Sequence, residues 1–216
     1  MTAIYRVKSP TNWAWLAKLS EPVIEPERPI CDPHHHLWEF RYNRVAHRYL
    51  LDEILEDVGS GHNVVSTVFI DCGAMYRTDG PEAMRSVGET EFVNGIAAMS
   101  ASGLYGPCRV AAAIVSNVDL RLGSEAGPVL DAHVAAGGGR FRGIRHQGTW
   151  DADPEVGNGR NVTGPGVFLD ERFQAGFAEL VARKMTFEAW CYHHQIPDVT
   201  ALARNFPSAV TSGIWW

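Results

Sequence analysis

The sequence is poor in cysteine, in positive charge and in long apolar runs, and each shortage excludes a class of protein. Only four cysteines occur among 216 residues, and no two of them form a Cys-x-x-Cys pair. We therefore expect reduced, mostly buried thiols. Lys and Arg number 19 against 25 Asp and Glu, which gives a formal net charge of -6. Because the basic residues are also scattered, no nucleic-acid-binding surface is expected.

The chain shows no stretch that is apolar for long enough to span a bilayer, and its first residues hold no basic segment followed by an apolar run. We therefore expect neither a membrane span nor a signal peptide. The hydrophobic share of 45% and the charged share of 20% are ordinary for a globular protein. The expected compartment is the cytoplasm.

The apolar pattern divides the chain into an N-terminal segment, residues 1–25, and one domain, residues 26–216. In the N-terminal segment, Trp13, Trp15 and Leu16 indicate either a short helix or a segment that lies over the core, and we expect the segment to pack on the domain. In the domain, β-branched apolar runs alternate with segments of helical periodicity. The predicted strands cover 30–38, 64–71, 110–115, 141–146 and 185–192, with a sixth from 207, and the predicted helices cover 48–55, 91–99, 129–134, 171–183 and 196–205.

This alternation predicts an α/β fold with a parallel sheet. It comprises about five βα units and the start of a sixth, whereas a closed (β/α)8 barrel takes about 250 residues. Two interpretations are open. The chain is either a complete smaller α/β domain or the first part of a barrel, that is, a partial (β/α)8 TIM barrel. We favour the partial barrel.

The segment Cys31–Trp38 is rich in histidine and is predicted to be the end of the first strand. Side chains alternate faces along a strand, so Asp32, His34 and His36 share one face while His35 takes the other. Two imidazoles at positions i and i+2 on one face can bind a single metal ion. The ordered Asp-x-His-x-His pattern therefore indicates a functional site, and the alternative is a polar, partly exposed strand end.

Four stretches of the chain, taken in order, resemble a known family: CDPHHHLW (31–38), VGETEF (87–92), FRGIRH (141–146) and FEAWCYHHQIP (187–197). They are similar to metal-dependent hydrolases of the amidohydrolase superfamily, specifically the amidohydrolase-2 group that includes sugar lactonases and 2-pyrone-4,6-dicarboxylate lactonase. The resemblance runs from about Pro29 to Pro207 and implies a (β/α)8 barrel that directs water at a carbonyl. It also implies a divalent metal, Zn or Mn, as cofactor, although metal-independent members exist.

By this resemblance the metal ligands are His34, His36 and His193, with His194 as the alternative to His193. Asp32 stands beside these ligands as a supporting residue of the catalytic site. All of them lie at the C-terminal ends of predicted strands, which is the face where barrel enzymes place their sites.

Arg145 and His146 close the fourth predicted strand on the same rim and complete the catalytic candidates. A guanidinium pairs bidentately with carboxylates, so Arg145 is a candidate clamp for a substrate carboxylate or lactone oxygen. The alternative for Arg145 is a structural ion pair. Glu89 and Glu91 are interpreted as charges favoured at a helix N-terminus rather than as catalytic groups.

The family's general base, an Asp after the eighth strand, and a further His after the sixth strand have no counterpart in this sequence. The resemblance therefore predicts a hydrolase that opens a lactone or similar cyclic ester, with a catalytically inactive truncated barrel and a decarboxylase as alternatives. The expected partner is a small anionic substrate. A homo-oligomer is compatible with the sequence, and nothing indicates nucleic acid or a membrane as a partner.

Overall fold

The computed structural model describes residues 13–19, 21–39, 48–156 and 163–215. Strands and helices alternate along this part of the chain. The strands are β1 (Ile30–His35), β2 (Val64–Ile70), β3 (Arg109–Ser116), β4 (Phe141–Gln147), β5 (Thr186–Cys191) and β6 (Val210–Trp215). The helices are α1 (Trp13–Leu16), α2 (Leu51–Val58), α3 (Val87–Ala101), α4 (Ala126–Ala136), α5 (Glu171–Ala182) and α6 (Ile196–Asn205).

In the described residues, six strands form one parallel sheet whose spatial order, β1 to β6, follows the chain. Because all strands run in the same direction, their C-terminal ends lie along one edge of the sheet. The predicted parallel α/β fold is confirmed. A sheet of this order is consistent with part of a (β/α)8 barrel.

Aromatic rings of α5 and β5 form the centre of the hydrophobic core. Phe173 and Phe177 of α5 are fully buried and pack edge to face against Phe187 of β5, with ring centroids 6.3 and 5.0 Å away. Burying one such side chain contributes about 1.5–3 kcal/mol. Asp170 caps the helix, because its carboxylate accepts the backbone N–H of Phe173 at 2.8 Å. These contacts anchor α5 to the sheet.

β4 and β5 approach each other closely at Gly143. A Cβ atom at this position would lie 2.0 Å from the backbone oxygen of Thr186, so only glycine fits. Two residues farther along, the register pairs Arg145 with Glu188. Residues paired across two strands point to the same face of the sheet. The register therefore brings a guanidinium and a carboxylate together.

The start of α3 differs from the sequence prediction. The helix begins at Val87 instead of near residue 91, because a turn of 3-10 helix, Glu82–Met84, leads directly into it. Glu89 thus lies in the first turn, as predicted, but it is fully buried. It is therefore not a solvated helix-end charge, whereas Glu91 is exposed and forms an ion pair with Arg77.

The N-terminal segment is described only in part. The predicted short helix is present as α1, and Trp15 in it is 63% exposed. Residues 1–12, 20, 40–47, 157–162 and 216 lie outside the described residues, so the packing of the N-terminal segment on the domain stays a prediction.

Two further expectations concern the thiols and the membrane. All four cysteines are free, as predicted; Cys108 and Cys191 are buried, Cys72 is half-buried and Cys31 is exposed. Among the described residues, no helix is both long and apolar enough to cross a membrane.

Candidate functional site

The end of β1 places two imidazoles side by side. Nε2 of His34 lies 3.3 Å from Nε2 of His36, and the two rings meet edge to face. The predicted shared face is therefore confirmed for this pair. Asp32 stabilises the backbone at His34, because its carboxylate accepts the backbone N–H of His34 at 3.0 Å. His35 faces the other way, is buried and packs against Phe69.

The hydrogen bonds of His36 define which ring nitrogen carries its proton. Nδ1 lies 2.8 Å from the backbone oxygen of Ile70, which can only accept, so Nδ1 carries the hydrogen. Nε2 of a neutral His36 then presents a lone pair. Burial lowers the pKa of His36 to about 4, and burial together with the charge of Arg145 lowers the pKa of His34. Both rings are therefore neutral near pH 7.

Arg145 of β4 provides a buried positive charge beside the histidines. Its side chain is 1% exposed and forms an ion pair with Glu188 of β5. In this pair Nε donates to the carboxylate at 2.6 Å, and Nη2 contacts the same oxygen. The guanidinium carbon also lies 5.1 Å from the centre of the Trp190 ring, a cation–π distance. Glu188 carries the opposite charge that a buried guanidinium requires.

The same guanidinium reaches His34 and the end of β2. Nη2 lies 2.9 Å from Nε2 of His34, and Nη1 donates to the backbone oxygen of Asp71 at 3.3 Å. A guanidinium has five N–H bonds, and these contacts together with the two to Glu188 engage four of them. A bidentate clamp on substrate would need two N–H bonds. The described contacts thus tie Arg145 to Glu188 and His34, and its role as a clamp stays a prediction.

Glu188 also belongs to this group, although it is not among the site residues predicted from the sequence. It is the one charged residue of strand β5 and is 8% exposed. Burial raises the pKa of its carboxyl, and Arg145 opposes that rise. A single carboxylate in a buried strand is the sequence signal that points to such a partner, because a buried charge needs an opposite one.

His146 lies on the opposite face of β4 from Arg145, and its catalytic role stays a prediction. The two residues are adjacent in β4, and adjacent residues of a strand point to opposite faces. Nε2 of His146 lies 3.4 Å from the carboxylate of Asp119, and its ring packs edge to face against Phe173. His146 thus lies between the sheet and α5, away from the histidine pair.

His193 and His194 follow β5 in a short 3-10 turn, and both are exposed. Nε2 of His194 lies 3.0 Å from the backbone oxygen of Trp150. The His193 ring meets the His194 ring edge to face, with centroids 5.5 Å apart. Within the part of the chain that the structure describes, neither ring joins His34 and His36 in a group of metal-ligating side chains. The choice between His193 and His194 as a ligand stays a prediction.

The histidine pair matches one edge of a metal site, but the residues that the structure describes add no further ligand to it. Two nitrogens bound to one tetrahedral zinc ion lie about 3.3 Å apart, and the Nε2 atoms of His34 and His36 are 3.3 Å apart. Yet no group of three or more His, Cys, Asp or Glu side chains that could hold a metal occurs in the described ranges. The positive Nη2 of Arg145 lies beside the pair instead. The described residues therefore do not fit a resident divalent metal.

Comparisons with known proteins identify similar chains. No protein-family model matches the sequence. The uncharacterized protein y4mH of Sinorhizobium fredii is 26% identical over 196 residues, which make up 82% of this chain and 59% of y4mH. Two crystal structures of an amidohydrolase from Burkholderia multivorans, one with bound HEPES and one with bound zinc, are 23% identical, with TM-scores of 0.53 and 0.55.

These matches cover most of this chain but little more than half of its relatives. The two amidohydrolase structures are covered over 55% and 56% of their length, and this chain over 84% and 85% of its own. At this identity the likeness shows the fold. Over the matched residues, the chain has the α/β fold of that amidohydrolase.

Proposed function

We propose that this chain carries the active-site edge of an amidohydrolase-type hydrolase that opens a lactone or similar cyclic ester by attack of water. The observation that carries the proposal is the convergence of His34, His36 and Arg145 at the C-terminal ends of β1 and β4. Barrel enzymes hold their sites at this edge. The similarity to the Burkholderia amidohydrolase supports the same class of reaction.

In the proposed reaction, His36 accepts a hydrogen of the attacking water as the water oxygen bonds to the carbonyl carbon. The ring C–O bond then breaks, and the proton passes from His36 to the leaving ring oxygen. Its Nδ1–H is held by Ile70, so the lone pair on Nε2 is the acceptor that can take this proton as a general base. His34 is held in place by the guanidinium of Arg145. That guanidinium is almost fully buried, and in a low-dielectric site its charge stabilises the negative charge that develops on the carbonyl oxygen.

The substrate class is a small anionic lactone. One N–H bond on Nη1 of Arg145 is not engaged by the described contacts. It can donate a hydrogen bond to a substrate carboxylate or lactone oxygen. We also propose that the sheet is part of a (β/α)8 barrel. The coverage of 55% and 56% of the two similar structures supports this.

Hydrolysis of a panel of small lactones, followed as acid release at constant pH, tests the proposal. We expect His36→Ala to lower kcat by at least about 10²-fold, whereas His62→Ala, which changes an exposed histidine, leaves it unchanged. Carbon dioxide release is recorded in the same reactions, because a decarboxylase is the alternative class. The proposal is contradicted if both His34→Ala and His36→Ala hydrolyse lactones at an unchanged rate, or if no lactone is hydrolysed.

Removal of metal ions tests whether hydrolysis depends on a bound metal. Because the described residues do not fit a resident divalent metal, we expect dialysis against a chelator to leave the rate of lactone hydrolysis unchanged. Zinc and manganese are added back separately as controls. A rate that falls on dialysis and returns with either ion would contradict this expectation.

A further inference from the structure

Two buried carboxyl groups lie at the ends of the loop that joins β2 to α3. Asp71 directly follows β2, Glu89 lies in the first turn of α3, and both are 0% exposed. Burying one ionised carboxylate is unfavourable, and two adjacent ones repel each other as well. Their hydrogen bonds show how this pair is accommodated.

The side chain of Glu89 binds the backbone of the loop. Its Oε1 atom accepts the N–H of Ala74 at 2.7 Å and the N–H of Cys72 at 3.1 Å. Oε2 is buried, and no described N–H group reaches it. Burial, the charge of Asp71 and a side-chain hydrogen bond to Asp71 raise the pKa of Glu89. Since an ionised carboxylate can only accept, this contact requires a proton between the two groups.

The surroundings of the pair determine which carboxyl carries that proton. Oδ1 of Asp71 accepts two hydrogen bonds of 3.2 Å, from the N–H of Gly73 and from the hydroxyl of Tyr76. These two donors make Oδ1 of Asp71 a hydrogen-bond acceptor. Burial and the neighbouring Asp71 raise the pKa of Glu89 well above its usual range. Glu89 is therefore the protonated partner.

The loop held by this pair is strained. Met75 has a φ of 54°, in the left-handed region that residues with a side chain rarely adopt. Gly88 lets the helix lie directly against it, since a Cβ atom there would be 2.5 Å from the backbone oxygen of Met75. The two backbone hydrogen bonds to Glu89 thus brace a loop that contains an unfavourable backbone conformation.

The beginning of the same loop orients the site. The backbone oxygen of Ile70 accepts from Nδ1 of His36 at 2.8 Å, and that of Asp71 accepts from Nη1 of Arg145 at 3.3 Å. A shift of the chain at residues 70–71 would therefore release both side chains. Glu89 is coupled to the site through these two backbone oxygens.

We propose that Glu89 is a positioning residue that acts as a neutral carboxylic acid and donates its proton to the carboxylate of Asp71. In this state it fixes the loop and, through the backbone of residues 70–71, holds His36 and Arg145 in place. The proton stays within the pair, and no covalent bond changes. The catalytic consequence rests on the proposed function, whereas the protonation of the pair does not.

Several other titratable groups face the pair, and the test must leave them unchanged. They lie directly after β1, in the β2–α3 loop, in α4, in β4 and in β5: His36, Cys72, Tyr76, His133, Arg145 and Glu188. Glu89→Gln alters none of them. A glutamine retains the accepting oxygen and presents an N–H to Asp71, so it reproduces the hydrogen bonds of a protonated glutamate.

Infrared difference spectroscopy of the full chain near pH 7 tests the protonation directly. The spectrum of the unmodified protein minus that of Glu89→Gln is expected to show the carbonyl stretch of one protonated carboxylic acid. Glu91→Gln, an exposed position of the same helix, is the matched control and is expected to show none. A difference spectrum with only ionised-carboxylate bands for Glu89→Gln would overturn the proposal.

Nuclear magnetic resonance of isotope-labelled histidine tests the positioning. We expect the Nδ1–H signal of His36 to persist in Glu89→Gln and to be lost or to exchange quickly in Glu89→Ala, because the alanine leaves Cys72 and Ala74 without their acceptor. If Glu89→Ala does not fold, the comparison of Glu89→Gln with the unmodified chain still decides. Loss of the His36 signal in Glu89→Gln would overturn the proposal.

Kinetic measurement separates this inference from the proposed function. With an active lactone, we expect Glu89→Ala to lower kcat about 10–100-fold, as substitutions behind a site usually do, and Glu89→Gln to restore most of it. A glutamine variant as inactive as the alanine variant would show that an ionised carboxylate is needed. If no lactone is hydrolysed, the proposed function fails, and the infrared and resonance results still decide the state of Glu89.

Discussion

The buried imidazole of His133 and the half-buried imidazole pair of His34 and His36 have opposite surroundings. His133 lies between α3 and α4, where its ring nitrogens are 3.1 Å from the hydroxyl of Ser86 and 2.8 Å from the hydroxyl of Thr90. The His34 and His36 rings instead direct Nε2 atoms at each other, beside the guanidinium of Arg145. An imidazole with both nitrogens bonded is a structural part of the core, whereas converging acceptors beside a positive charge can receive a substrate or water.

Loss of the carboxylate beside Arg145 gives the largest expected effect. Glu188→Ala leaves a guanidinium that is 1% exposed without its ion-pair partner, and breaking such a pair lowers the free energy of unfolding by about 3–5 kcal/mol. Urea unfolding at pH 7 measures this. Asp131→Ala is the control, because it breaks an ion pair to Arg183 at a 62% exposed aspartate, where about 0–1 kcal/mol is expected. Equal losses in the two variants would contradict the burial argument.

The pH dependence of stability distinguishes the core histidine from the exposed ones. Burial lowers the pKa of His133 from 6.5 to about 4. As the pH falls below 6.5, the unfolded chain therefore takes up a proton first, and the folded state loses stability down to about pH 4. One such group contributes a slope of up to about 1.4 kcal/mol per pH unit.

His133→Gln is expected to remove this contribution, so that its free energy of unfolding varies less between pH 6.5 and 4. His62→Gln, at an exposed position, should keep the slope of the unmodified protein. Urea unfolding over this pH range measures both. If the free energy of unfolding of His133→Gln varies with pH as steeply as that of the unmodified protein, this prediction is contradicted.

Removal of the Thr90 hydroxyl that bonds His133 gives the smallest of the three expected losses of stability. Thr90→Val keeps the shape of a fully buried side chain but leaves Nδ1 of His133 without its partner, which costs about 1–3 kcal/mol. Thr200→Val in α6 is the matched control, since that threonine is exposed and bonds only to its own helix. Thermal unfolding at neutral pH compares the two variants, and a larger loss in Thr200→Val would count against the structural role of His133.

Local patterns predict the alternation of strands and helices and the histidine pair, because both depend on short-range periodicity. The apolar run 64–71 is β2, and the alternation along residues 32–36 places His34 beside His36. The same alternation, applied to β4, separates His146 from Arg145, which the shared strand end alone does not indicate.

Contacts between distant segments are not visible in such patterns. The pairing of Arg145 with Glu188 depends on the register of β4 against β5. The burial of Glu89 depends on a loop that packs back on α3 at Gly88. In both cases the partner is set by long-range packing, so a local motif shows only that a charge is present and not what it contacts.

Parallel measurement of lactone hydrolysis and stability in His36→Asn and His133→Asn tests the distinction between the two histidine groups most directly. We predict that His36→Asn loses hydrolysis and keeps most of its free energy of unfolding. His133→Asn is predicted to lose stability and, at a temperature where it remains folded, to keep the kcat of the unmodified chain. The account is contradicted if His36→Asn retains full hydrolysis or if His133→Asn loses hydrolysis while remaining fully stable.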